Sequence, residues 1–307
     1  MRTAVVTLAS GRHDHLLAQQ QGLLAGTVMP DNYVVVAMDD PELAGSVATG
    51  PLALGRPAGT RVHVADVPLR DPVSGLEVSR HTAGAELPLA AARNLGARVA
   101  TCAGASLLIM LDVDCIPGRR LVATYQRAAR RLAAERGPTL LCGPVAYLPQ
   151  PSPHRSTYDL DSLATLATAN PARPVPAPGE LVRTDDLRLF WSLSFAMTAD
   201  DWDRVGGFDE VYVGYGGEDT DFGQRVETAG GAMYWTGGAD AYHQHHASSD
   251  SPAQHLAAIV RNANLFHDRW GWFPMGGWLA EFAERGLAHE QADGRGWRTG
   301  PDPGMPG

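Results

Sequence analysis

Ser106-Leu107-Leu108-Ile109-Met110-Leu111-Asp112-Val113-Asp114-Cys115-Ile116-Pro117-Gly118 is the stretch on which the fold turns. Its run of apolar residues has no polar face, so it reads as a strand covered on both sides at the centre of a sheet. The run stops abruptly at Asp112, and the carboxyl ends of strands are where open α/β sheets bind ligands. Residues two apart in extended chain project to the same side, so Asp112 and Asp114 can converge. Two carboxylates at one point are costly unless a cation sits between them and something else. A hard divalent ion, Mg or Mn, bridging to a pyrophosphate meets that need. The competing reading has Asp112 capping a turn and Asp114 capping a following helix.

Outward from this strand, short apolar runs alternate with helical patterns. Strands are predicted at Ala4–Leu8, Tyr33–Met38, Arg61–Val64, Ser106–Leu111 and Thr139–Val145, and helices at about His13–Leu24, Pro88–Ala100 and Arg119–Arg136. Such alternation predicts an α/β fold with a mostly parallel central sheet flanked by helices. Segment Asp66–Glu86, polar and broken by Pro and Gly, reads as a loop over one sheet edge. Leu148–Glu180 is Pro-rich around a helical-looking stretch near Asp159–Thr168, and loops of that length are usually lids, binding loops or linkers. A further amphipathic helix is predicted around Ala253–Trp270, and residues 286–307, rich in Gly and Pro, read as a disordered tail.

Composition narrows the function. The net charge is -9 and all 25 basic residues are Arg, with no concentration that marks a nucleic-acid surface. Cys102, Cys115 and Cys142 lack a C-x-x-C spacing and read as reduced thiols rather than a disulfide framework or zinc ribbon. No run approaches the roughly 18–20 apolar residues that span a bilayer, and the chain enters a strand-like run without a signal segment. These features predict a cytoplasmic protein.

The densest chemistry lies between Phe190 and His246. Val205-Gly206-Gly207-Phe208-Asp209-Glu210 is followed by Gly214-Tyr215-Gly216-Gly217-Glu218-Asp219-Thr220-Asp221-Phe222. Glycines let backbone approach a bulky ligand. Glu218 and Asp219 open a helix predicted over Asp219–Gly230, whose N-terminal dipole keeps carboxylates ionised. An ionised carboxylate beside a hydroxyl is a general base, the alternative being a plain helix cap. Downstream, Tyr242-His243-Gln244-His245-His246 places His243 and His245 on one face of an extended stretch, as further ligands for Mn.

These motifs resemble family 2 glycosyltransferases of the A-type fold, and the later part is similar to the C-terminal domain of β-1,4-galactosyltransferases, over roughly residues 3–275. The resemblance implies an inverting, metal-dependent transfer from a nucleotide-sugar donor, UDP foremost with GDP and dTDP open, to an acceptor hydroxyl. It implies that Asp112 contacts the ribose and Asp114 the metal, Mn or Mg. Thr7, Ser10 and Arg12 then cup the nucleotide, Asp39-Asp40 meet the uracil edge and Arg93 faces the donor. Asp219 is implied as the base, Glu218 as the group holding the acceptor, with Trp191, Tyr215 and Gly217 lining the acceptor site. Tyr215 stands where the galactosyltransferase pattern has Trp. The metal ligands implied are Asp114 with His243, and His245 second. On this reading residues 1–147 form the nucleotide-sugar half, 148–180 a lid, and 181–285 the acceptor and catalytic half.

A nucleotidyltransferase would need a Gly-rich N-terminal loop and a Lys against the phosphates, and the chain has no Lys. A catalytically inactive sugar-binding module would have no use for Asp112, Asp114, Asp219 and His243 together. A zinc hydrolase lacks its H-E-x-x-H spacing. The acceptor, whether carbohydrate, lipid-linked or small molecule, and the oligomeric state are not written in the sequence.

Overall fold

A computed structural model describes residues 1–55, 59–72, 74, 76–79, 85–151, 158–246 and 252–300. Leu107–Leu111 is buried at every position inside an eight-stranded sheet, as its two apolar faces require. Across the sheet the order is Leu181–Thr184, Ala232–Thr236, Thr139–Cys142, Ser194–Thr198, Leu107–Leu111, Thr3–Ala9, Asn32–Met38 and Arg61–Val67. From Leu107–Leu111 to Arg61–Val67 every pairing is parallel. On the other side Ser194–Thr198 runs antiparallel to both of its neighbours, and Leu181–Thr184 is antiparallel at the edge. The sheet is therefore parallel in its first half and mixed in its second. Ser194–Thr198 follows the long Pro-rich excursion rather than a crossover helix, and only parallel pairing requires a crossover.

Helices form at His13–Leu24, Leu89–Cys102 and Leu121–Arg131. The expected strand Thr139–Val145 breaks at Gly143-Pro144 into Thr139–Cys142 and Val145–Tyr147. A Cβ on Gly143 would lie 2.1 Å from the Ala239 carbonyl oxygen, and Pro144 has no N–H for a ladder. The second piece enters a separate four-stranded sheet, in the order Thr168–Ala169, Val145–Tyr147, Ala241–His243 and Cys115–Pro117. This small sheet sets His243 opposite Cys115 on one side and Tyr147 on the other.

The chain divides into two units. The first comprises residues 1–67, 92–207 and 223–246 and contains both of these sheets. Its core runs through Val5, Tyr33, Val35, Ile109, Leu111, Tyr125 and Leu141. Helix Leu89–Cys102 lies so close to the sheet that a Cβ on Gly96 would sit 2.3 Å from Val6 Cγ1 and 3.1 Å from Val36 Cγ2. Within 148–180, residues 152–157 are outside the described residues, but Leu163 is buried with Ala18, Ile116 and Leu148, so the later part is packed rather than a free loop.

The second unit comprises residues 68–91, 208–222 and 247–307. Helices Leu256–Trp270 and Gly276–Glu284 build its core around Ile259, Ala263, Leu279 and Phe282. The described part of the expected loop Asp66–Glu86 includes a short pairing of Leu69–Arg70 with Glu77–Val78. Residues 286–307 are not wholly disordered: Ala288–Glu290 pairs with Trp297–Thr299. Ala288 is buried in the core, and the Asn264 side chain bonds the Trp297 backbone at both its N–H (2.8 Å) and its carbonyl (2.9 Å). Composition alone read this hairpin as tail because most of its residues are polar or Gly and a Gly- and Pro-rich stretch follows it. Residues 301–307 lie outside the described residues.

Candidate active site

In the first unit, the end of Leu107–Leu111 is anchored by a buried glutamine. Gln19 Nε2 donates to the carbonyls of Asp112 (2.8 Å) and Cys115 (3.2 Å), while its Oε1 accepts from Tyr33 Oη at 2.8 Å. The Cys115 N–H closes a turn on the Asp112 carbonyl at 2.8 Å, and a strand, not a helix, follows. This turn sends the two carboxylates to different partners rather than to one point. Asp112 Oδ1 lies 3.8 Å from Arg93 Nη2, and that nitrogen donates to Ser192 Oγ at 2.5 Å. Asp114 Oδ2 lies 3.4 Å from Nε2 of both His243 and His246.

Asp114, His243 and His246 offer three ligand atoms within 4.8 Å of one another. Two ligands each about 2.1 Å from one ion stand about 3.0–3.4 Å apart at octahedral to tetrahedral angles, which these carboxylate–imidazole separations match. One oxygen and two imidazole nitrogens suit a borderline divalent cation. Burial would raise the pKa of Asp114, but hydrogen bonds and charge from His243 and His246 outweigh it and hold the carboxylate far below its usual range. Burial would lower that of His243, but Asp114 outweighs it and the net shift is upward.

His246 takes the place expected for His245. The strand ends at His243, so the alternation that would align His245 does not continue. Instead the Gln244 N–H donates to the Asp114 carbonyl at 2.7 Å, which turns His246 toward the carboxylate, while His245 is exposed and gives its N–H to Tyr158 Oη at 3.1 Å. Three candidates within four residues were visible in the sequence, but only the end of the strand selects among them. Two neighbours carried no sequence signal: Tyr147, whose ring centroid is 5.0 Å from that of His243, and His15, 6.2 Å from His246.

The remaining donor candidates surround the opening strands. Thr7 Oγ1 is buried without a hydrogen-bond partner among the described residues. Ser10 and Arg12 are half-buried in the bend after Thr3–Ala9. Asp40 fastens that bend to the second strand, accepting from Gly11 N–H at 2.8 Å and lying 2.9 Å from His13 Nε2. Burial raises its pKa, yet these partners outweigh it and hold the carboxylate low. Asp39 beside it is half-buried, with its backbone in the left-handed region at φ 49°.

The second unit holds the Gly-Gly-Glu-Asp motif. Gly216 and Gly217 have φ of 95° and 89°, a region that glycine enters without strain. Helix Glu218–Thr228 follows, with Glu218 buried and Asp219 half-buried in its first turn. Asp221, fully buried, accepts from Arg269 Nη1 (2.8 Å), Trp270 Nε1 (2.9 Å) and Tyr212 Oη (3.3 Å). Asn262 Nδ2 donates to the Gly216 carbonyl at 2.8 Å. These bonds hold the loop that presents Glu218 and Asp219. Exposed Tyr215 stacks on His255 at 4.9 Å between centroids and lies 5.7 Å from Trp278, which makes an aromatic face. Trp191 belongs to the first unit, where Arg173 lies over its ring.

Residues 184–247 match the family described as the N-terminal domain of galactosyltransferase. The chain is 32% identical over 165 residues to a validoxylamine A glucosyltransferase of Streptomyces hygroscopicus subsp. jinggangensis, covering 46% of this chain and 36% of that protein. It is 30% identical over 209 residues to a chondroitin synthase of Escherichia coli, covering 60% of this chain and 29% of that one. The chain spans about a third of the length of these curated relatives. In fold it is similar to S. aureus TarS 1-349, with a TM-score of 0.51, 12% identity, and 86% of this chain and 64% of that chain covered. It is also similar to GalNAc-T7 with UDP, GalNAc and Mn2+, at a TM-score of 0.50, 15% identity, and 87% and 50% covered. By sequence likeness and fold, the chain is glycosyltransferase-like with the A-type α/β architecture.

Proposed function

We propose that this chain is an inverting, divalent-metal-dependent glycosyltransferase that moves a sugar from a nucleotide-sugar donor, UDP-linked foremost, to an acceptor hydroxyl. The observation that carries this reading is the Asp114, His243 and His246 cluster at the mouth of Leu107–Leu111, where an open α/β sheet takes its ligand. A bound Mn or Mg would act there as a Lewis acid toward the leaving diphosphate. Asp112, fixed by Arg93, is the ribose contact, and Thr7, Ser10, Arg12 and Asp39 serve the nucleotide. Asp40, committed to Gly11 and His13, acts by shaping that bend.

Asp219 is the general base. Its carboxylate takes the acceptor proton as the hydroxyl oxygen bonds to the anomeric carbon, and the bond from that carbon to the diphosphate breaks with inversion. Glu218 holds the acceptor by hydrogen bonding, and Tyr215 with Trp278 offers a face on which a sugar ring stacks. The test is a thermal-shift screen of UDP-, GDP- and dTDP-sugars with and without Mn, followed by donor-hydrolysis and transfer assays. Selective stabilisation by a UDP-sugar only when Mn is present is expected. Metal-independent binding would sink the role of the cluster, and donor binding without hydrolysis or transfer would leave a sugar-binding module.

A further inference from the structure

Arg173 is a buried cation with no hydrogen-bond partner among the described residues. The residue is only 7% exposed, and among the described residues its Nε, Nη1 and Nη2 all lack a hydrogen-bond partner. Its guanidinium lies over two indoles, 4.9 Å from the Trp235 centroid and 5.3 Å from that of Trp191. Stacking satisfies the flat faces of the group but none of its five N–H donors, which lie in its plane. A guanidinium removed from water without an acceptor is strongly unfavourable. Its backbone is nevertheless firmly set. Asn170 Oδ1 accepts the Ala172 N–H at 2.9 Å and the Asn170 carbonyl accepts the Arg173 N–H at 3.1 Å, between Pro171 and Pro174.

The same turn adjoins the metal cluster. Thr168–Ala169, just before this turn, pairs with Val145–Tyr147, and the Tyr147 ring lies against His243. Asp112 already has Arg93 beside it. One divalent ion would then face Asp114 and the two negative charges of a diphosphate, leaving one negative charge that a second cation balances.

We propose that Arg173 is a substrate-binding residue whose unpaired guanidinium receives an oxyanion of the donor, either its diphosphate or a carboxylate on its sugar. This rests on the donor reading given above. A buried Arg awaiting an anion is a stored cost in the empty protein, recovered as charge-assisted hydrogen bonds when the ligand arrives.

The experiment compares the parent chain with R173M and R173K by thermal melting and by calorimetric binding of inorganic pyrophosphate, UDP-glucose and UDP-glucuronate, each with Mn. Without ligand, R173M should melt no lower than the parent, because Met keeps the apolar contacts and removes the unpaired charge. Affinity should fall about ten- to a hundredfold in R173M and less in R173K. Loss toward all three ligands assigns the diphosphate, and loss toward UDP-glucuronate alone assigns a sugar carboxylate. Equal affinity of R173M and the parent for every ligand would overturn the inference. So would an R173M that melts far below the parent or fails to fold, since Arg173 would then be a structural staple between the indoles. Should the parent bind pyrophosphate but neither UDP-sugar, the donor reading fails while a loss in R173M still supports the anion site.

Discussion

Asp114→Asn removes one charge from the cluster and leaves its shape. In the empty protein Asp114 is held below its usual pKa and His243 above its own. A depressed carboxylate contributes stability above its unfolded pKa of about 3.9, and a raised histidine contributes below its unfolded value of about 6.5. The parent should therefore exceed Asp114→Asn most between about pH 4 and 6.5, losing the advantage as pH falls through the depressed Asp114 value or rises through the raised His243 value. Metal reverses the second trend, because Mn must displace the His243 proton and binds better as pH rises. With Mn at about 100 times its dissociation constant the parent gains about 2.7 kcal/mol, which for a chain of this size raises the melting temperature by about 4 °C. Asp114→Asn, with one of three ligands weakened and the charge gone, should gain little. The assay is a melting series from pH 5 to about 8.5, with and without Mn and UDP. An Mn shift that does not grow with pH, or that survives in Asp114→Asn, would refute the cluster as a metal site.

Asp219→Asn keeps the first helical turn but removes the basic oxygen, so kcat should fall about a hundred- to ten-thousandfold while donor affinity by calorimetry barely moves. Glu218→Gln should raise the acceptor KM at least as much as it lowers kcat; a dead Glu218→Gln beside an active Asp219→Asn exchanges the roles. Asp221→Ala leaves the Trp270 and Tyr212 donors without an acceptor, although Arg269 keeps Asp209 at 2.5 Å. Its cost should fall near about 3 kcal/mol, at the low end for a broken buried pair, and urea unfolding that shows under about 1 kcal/mol would remove Asp221 as the anchor of the loop. We further propose that segment 148–180 tightens over the donor: hydrogen exchange there should slow with UDP and Mn, and unchanged exchange would discard the lid.

Much of the first unit was legible because its signals are local. Strand Leu107–Leu111 is apolar at every residue, and helix His13–Leu24 falls where its spacing placed it. The Gly-rich loop and helix at Glu218 were equally readable, since left-handed backbone calls for Gly and a helix start for acidic residues. The antiparallel entry of Ser194–Thr198 was not, because its direction depends on where a long excursion returns. The hairpin Ala288–Thr299 was missed for a related reason: its support comes from Asn264 on a distant helix.

By itself the sequence determined the opening strands and helices, the Asp112-Val113-Asp114 turn at a strand end, and the supply of histidines downstream. Which carboxylate meets which partner, and which histidine joins Asp114, was decided only in three dimensions. Pairing of Ala241–His243 with Cys115–Pro117 brings His243 beside Asp114, and the chain's turn after the strand delivers His246 instead of His245. Residues more than a hundred positions apart share no local preference that could reveal this, and only the hydrogen bonding of a short second sheet brings them together.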